Sequence, residues 1–285
     1  MRAGSTPTTV HYALLAAVRP TNPAGSRALR ATIAVLTTLA VVLMPCTGAA
    51  VAARAEPRVT LRASFTPYRL GRRTTIEFSF QVHSTAGAAP SPVTDIDLHL
   101  PAGLGVASSE LGLANCDASA LLALGPEGCP PNAQIGFGSA IVSVPAESAP
   151  VEEEGSITVV VGRADSEPLE ILFLAEGRSP VSAQLVFPGH LLTANAPFGD
   201  RLDTTIPLIP TWPGGPDVSV TRMSATIGPL GLTYYRHVRD KIVAYSPRGI
   251  ALPRHCPRGG FPFRADISFL DGAQAGATHV VPCPR

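Results

Sequence analysis

Apolar and polar residues alternate with a period of two through most of the chain beyond residue 56. Val59, Leu61, Ala63 and Phe65 alternate with Arg58, Thr60, Arg62 and Ser64. Ile76, Phe78, Phe80 and Val82 alternate with Thr75, Glu77, Ser79 and Gln81. Ile96, Leu98 and Leu100 alternate with Asp95, Asp97 and His99. A period of two puts one set of side chains on each face of a strand, so these segments are half-buried strands. Further strands are expected at 133–144, 155–163, 168–175, 181–187, 202–209, 217–228, 241–246, 263–270 and 276–282. Pro188-Gly189, Pro213-Gly214-Gly215 and Asp271-Gly272 read as the turns between them. Many short strands with turns between them predict an all-β fold, an antiparallel sandwich. One short helix is expected at Asp117–Leu124, where Asp117 can accept first-turn N–H bonds and Gly125 can end the helix. The polar stretch Gly162–Pro168 marks a soft boundary, giving two packed sandwiches, 56–165 and 166–285, or one large one.

Residues 1–55 read differently. Arg19, Arg27 and Arg30 flank the uncharged run Ala31–Leu43, and Ala53-Arg54-Ala55 offers small residues for a signal peptidase before Glu56. Cleavage after Ala52 or Ala53 is the near alternative. The run has 13 residues, and a spanning helix needs about 20, so a signal peptide is expected and no membrane span in the mature part. The alternatives are retention as an N-terminal anchor, or lipidation at Cys46, for which Pro45 is a poor neighbour. The basic flank is long enough that translation could start nearer Val18.

Removing this segment changes the charge. The 285-residue chain has 22 basic and 21 acidic residues, a formal +1, and is 45% hydrophobic and 15% charged. All five basic residues of 1–55 are Arg, so the mature part keeps 17 basic against 21 acidic, a net of −4. Lys241 is its one lysine. No basic stripe for nucleic acid remains.

Four cysteines follow the export segment: Cys116, Cys129, Cys256 and Cys283. An even number in an exported chain predicts two disulfides and an oxidising compartment, secreted or at the cell envelope. Three pairings are possible; the local one, Cys116–Cys129 with Cys256–Cys283, closes the shortest loops and places the helix inside the first. No C-x-x-C is present, which argues against a zinc or redox motif.

Two stretches carry a resemblance. Val93–Val106 (VTDIDLHLPAGLGV) is similar to the strand and Leu-Pro-x-Gly-Leu signature of the conserved repeat domain of bacterial cell-wall surface proteins. Leu100–Val142, with LPAGLG, Cys116-Asp117, Cys129-Pro130 and Ala133-Gln134-Ile135-Gly136, resembles uncharacterised exported β-sandwich proteins of high-GC Gram-positive bacteria. The tail from Arg254-His255-Cys256-Pro257 through Asp271-Gly272 also looks like the ends of such proteins. The resemblance covers about a third of the chain. It implies an Ig-like sandwich at the envelope or outside it, and it carries no catalytic residue across.

Motifs for chemistry are missing. Gly136-Phe137-Gly138-Ser139-Ala140 lacks the last Gly of a nucleophile elbow. No zinc-protease, phosphate-loop, dinucleotide or calcium-loop pattern occurs, so no cofactor or metal is expected. His83, His99, His190, His237, His255 and His279 are scattered, with His255 the least ordinary, beside Cys256 among Arg248, Arg254 and Arg258. Asp95 and Asp97 share a strand face with His99, which is the wet face of a strand or an acid/base pair. Glu152–Glu154 reads as an exposed hairpin tip. Phe65, Phe78, Phe80, Phe173, Phe187 and Phe269 sit at inward positions. Trp212, in Thr211-Trp212-Pro213-Gly214-Gly215-Pro216, either plugs one end of the core, the plainer reading, or joins Tyr234 and Tyr235 (with Tyr245 near in sequence) as a sugar-stacking platform.

The expectation is an exported, non-enzymatic structural or adhesive protein. One alternative is a glycan-binding module using Trp212, Tyr234 and Tyr235. The other is a hydrolase with a dispersed site. Cell-wall glycan or another envelope protein is the expected partner.

Overall fold

The computed structural model describes residues 57–83, 89–106, 114–163, 168–246 and 249–284. The expected signal peptide and its cleavage site lie outside them. Residues 53–285 form one compact unit.

The fold is nearly all β. Its long strands are β1 (Arg58–Thr66), β2 (Arg73–His83), β3 (Val93–Pro101), β5 (Gln134–Val144), β6 (Val151–Val161), β7 (Leu169–Gly177), β8 (Ala183–Thr193), β9 (Phe198–Thr205), β10 (Ser219–Ile227), β14 (Phe261–Phe269) and β15 (Gln274–Val281). The two-residue strands β4 (Gly105–Val106) and β13 (Ile250–Ala251) patch the start of β2. A separate hairpin is made of β11 (Tyr234–Val238) and β12 (Lys241–Tyr245).

One path of neighbours runs β15–β14–β3–β9–β8–β7–β6–β5–β10–β2–β1, antiparallel at every step. The sheet curls until β1 lies beside β15. Eleven strands alternating in direction make these two edges run parallel. No ladder joins them among the described residues. The seam is instead held from inside, where Phe65 meets Phe261 and Phe263 with ring centroids 5.4 and 5.6 Å apart, and at one end, where Tyr68 donates to the Pro282 carbonyl. The result is a barrel-like sheet filled with side chains. All six phenylalanines expected to face inward do so, none more than 8% exposed.

The polar stretch Gly162–Pro168, part of which lies outside the described residues, does not divide two sandwiches, because β6 and β7, on either side of it, pair directly. One turn reading also shifts. Pro188-Gly189 is not a turn: β8 runs through it, with Pro188 opposite Leu172 and Gly189 opposite Ile171. The ladder to β9 starts only at Gly189, so Pro188 breaks no pairing on that side. Gly189 leaves room for the Phe173 ring and Leu202, which a Cβ would approach to 2.9 and 3.1 Å.

Val159–Val161 and Ile171–Leu174 are unbroken apolar runs because both their faces are covered. Val159 and Phe173 point into the barrel. Val160, Leu172 and Leu174 point outward, under a second small core with Leu121, Ala133 and the Cys116–Cys129 disulfide. Leu121 belongs to helix α1 (Ala118–Leu124), which is capped as expected: Asp117 accepts from the Ser119 N–H, and Gly125 ends the helix at φ 67°. Seven residues are too few for a helix to stand alone. The complete burial of Leu121 contributes about 2 kcal/mol, and the disulfide fixes the loop.

Both disulfides have the local pairing. Cys116–Cys129 and Cys256–Cys283 have Cα separations of 5.1 and 5.9 Å. The second ties the chain entering β14 to the chain leaving β15, at the seam.

Candidate functional site

The strand directions define two rims. One carries the β5–β6, β7–β8, β9–β10 and β14–β15 connections. The other carries the β1–β2 turn and the β11–β12 hairpin.

Trp212 lies on the first rim. It does not plug the core, for it is 57% exposed. Its loop is a small closed hairpin: Val218 donates to the Ile209 carbonyl, Thr211 to Pro216, and Gly215 to Trp212. Pro213 presets the first central position of the Trp212–Gly215 turn, and Gly214, at φ 79°, takes the second, where a left-handed residue is required. The indole lies flat on Gly215, where a Cβ would come within 2.5 Å of Cε2. One face of the ring is therefore seated on backbone and the other is open to water.

Tyr234 and Tyr235 are not beside it. They follow the end of β10, whereas Trp212 precedes its start. A nine-residue strand spans roughly 30 Å, so the three aromatics expected to form one platform sit on opposite rims. Tyr234 is 1% exposed, and its hydroxyl donates to the Gln134 carbonyl at 2.7 Å; burial pushes it up to about 12. Tyr235 is exposed.

The second sequence candidate, Asp95, Asp97 and His99, gains neighbours that β3 alone does not reveal. The register places Asp266, Asp97, Asp203, His190 and Glu170 in one row across β14, β3, β9, β8 and β7. The adjoining row holds Arg264, His99 and Arg201. Like charges opposite each other repel, and the basic row answers them. Arg264 grips Asp266 at 2.8 Å, His99 lies 3.3 Å from Asp266, and Arg201 lies 3.4 Å from both Asp97 and Asp203. Burial raises the Asp97 carboxyl above the usual carboxylate range; Arg201 opposes this and Asp203 adds to it. Asp97 thus takes up a proton more readily than an exposed aspartate. Among the described residues, no three of His, Cys, Asp and Glu are grouped to hold a metal ion. Arrangement and exposure fit an ionic clasp across the outer face of three strands.

Glu153 corrects another expectation. Glu152 and Glu154 are exposed, but Glu153 points inward in β6 and is 4% exposed. Its carboxylate accepts from the Ser179 N–H at 2.8 Å and the Val181 N–H at 3.1 Å, closing the β7–β8 turn from below. Gly177 makes space for it, since a Cβ there would be 2.8 Å from Oε1. The signal was available: alternation back from Ile157 puts Gly155 and Glu153 on the inner face.

A broad polar groove runs outside β1, β2 and β10, with His83, His279 and Glu77 among its lining. His83 bonds the Thr60 hydroxyl, and Glu77 accepts from Ser64. His83 and Glu77 stand six residues apart on β2, roughly 20 Å. His237 and His255 are exposed on the hairpin rim. No nucleophile–histidine–carboxylate chain is assembled among these contacts.

The fold and these sites define a disulfide-stapled, barrel-like sheet of eleven long antiparallel strands. No family model matches the chain, and no curated protein or solved structure matches it either.

Proposed function

We propose that this is an exported barrel that acts by binding or by structure at the cell envelope or in the medium, not by catalysis. The observation that carries this reading is the pair of formed disulfides. One fixes the covering loop and the other the seam, and both need an oxidising compartment to persist. The resemblance of Val93–Val106 to cell-wall surface domains supports the same placement. Fractionation of the producing cells tests it. The protein is expected in the envelope or medium, cleaved near Glu56; uncleaved protein confined to the cytoplasm contradicts it.

A second reading has its own observation, the open face of Trp212 on a rigid loop. Flat aromatics so held stack on sugar rings. In this reading the ligand is a cell-wall glycan, and Tyr234 and Tyr235 take no part. Trp212→Ala is expected to weaken retention on insoluble cell wall by about tenfold or more, with Trp212→Phe partly restoring it. Equal retention of wild type and Trp212→Ala contradicts the glycan reading.

A further inference from the structure

The β11–β12 hairpin is built to project. Its root is firm: Tyr234 is buried, Asn132 pairs with the backbone of Tyr235 in both directions, and Arg236 lies over the Tyr245 ring at 5.1 Å. Beyond the root, every residue from Tyr235 to Ala244 is exposed. Tyr235, Val238, Ile242 and Val243 are 49, 41, 66 and 41% exposed. The turn is Arg239-Asp240, both at positive φ, 46° and 62°. Such turns ordinarily use Asn or Gly, and strained backbone of this kind gathers at functional segments.

The charge around these apolar residues is predominantly positive. Arg236, Arg239 and Lys241 stand on the hairpin, opposed only by Asp240. On the same rim, Arg69, Arg72, Arg73, Arg254 and Arg258 are exposed, with no acidic residue in 66–73 or 252–260. Arg73 bonds the Ser246 carbonyl, Gly71 donates to Pro253, and Leu252 donates to Arg72, which ties these loops to the hairpin's base. The opposite rim carries Glu147, Glu152, Glu154 and Asp217 against Arg58 and Arg178. The part of the chain from residue 56 on, with 17 basic against 21 acidic residues, is thus polarised, with about half of its cations gathered around an exposed apolar tip.

We propose that this rim docks on the surface of an anionic lipid bilayer. Val238 and Ile242 enter the interfacial layer, the arginines and Lys241 engage headgroup phosphates, and the barrel stays outside. The exposed aliphatic side chains select lipid over a dissolved polyanion. Cations suffice for a polyanion, but only a bilayer rewards burying Ile242 and Val238. The inference rests on the envelope reading above and names the surface through which it acts. The two fail separately: an exported protein that ignores vesicles loses only this inference, and a cytoplasmic one loses the reading.

The test uses the oxidised unit 53–285, which has its own core, sedimented with phosphatidylglycerol/phosphatidylcholine vesicles and with pure phosphatidylcholine vesicles. Binding is expected only to the anionic vesicles, and to weaken as salt rises. Ile242→Glu and the pair Arg239→Glu/Lys241→Glu are each expected to reduce it by about tenfold or more. All three positions are exposed, so unchanged thermal unfolding of the variants shows an intact barrel. No binding to anionic vesicles overturns the proposal. So does binding that Ile242→Glu leaves unchanged and soluble polyphosphate matches, which assigns the rim to a polyanion. Self-association abolished by Ile242→Glu without vesicle binding assigns it to a second copy and likewise overturns the proposal.

Discussion

Gly138→Ala is expected to destabilise the barrel by on the order of 3–4 kcal/mol, read from the shift of a denaturant unfolding curve. Gly138 faces inward in β5, opposite Ala225 of β10. A Cβ there would overlap the Ser224 carbonyl oxygen and sit 3.0 Å from the Ala225 Cα. Gly136 has the same problem against the Thr226 carbonyl. These are backbone atoms of a paired strand, so relief requires parting β5 from β10 in the middle of the sheet. Ser139 is the internal control. Its side chain points outward and shares a 3.3 Å hydrogen bond with Ser224, so Ser139→Ala is expected to cost about 1 kcal/mol or less. Equal effects at the two positions would show that β10 does not approach this closely.

Removing the disulfides has the second large effect, and the two are not equivalent. Loops of 13 and 27 residues correspond to about 3 and about 3.5 kcal/mol of unfolded-state entropy. Native contacts widen the gap. Cys116→Ser/Cys129→Ser loosens the loop carrying α1 and uncovers Val160, Leu172 and Leu174 from outside, but the main core lies on the sheet's other face. Cys256→Ser/Cys283→Ser releases β15 next to a seam with no ladder, where Tyr68 meets Pro282. The second pair is expected to lose more stability and to raise exchange of the β1 and β15 amides. The first is expected to raise exchange chiefly in 114–133. Native-state hydrogen exchange of the two variants separates these outcomes.

Much of the fold was legible because alternation is a local signal. Val59 to Phe65, Ile76 to Val82 and Ile96 to Leu100 read correctly, and so did the capped helix and both disulfides. Closure was not legible, because β1 beside β15 is set by curl accumulated over eleven strands. Pro188-Gly189 misled because a proline is tolerated where one neighbour's ladder has ended. The two glycines of Gly136-Phe137-Gly138 drew notice only as a failed nucleophile motif. Their reason, the approach of β10, lies more than eighty residues away.

The candidate sites divide the same way. Asp95, Asp97 and His99 were visible on β3, but Asp266, Arg264, Arg201 and Asp203 join them only through register. The turn that holds Trp212 is legible in Pro213-Gly214-Gly215, but its exposure is set by packing that no local pattern encodes. Grouping Trp212 with Tyr234 and Tyr235 failed because closeness in sequence spanned the full length of β10.

The central claim is that this barrel is made for an oxidising compartment outside the cytoplasm. Intact mass of the protein recovered from its natural producer tests this most directly, with alkylation before and after reduction. The account predicts a chain starting near Glu56, inert to alkylation until reduced, and then taking four alkyl groups at Cys116, Cys129, Cys256 and Cys283. A full-length chain alkylated at all four positions without reductant would contradict it.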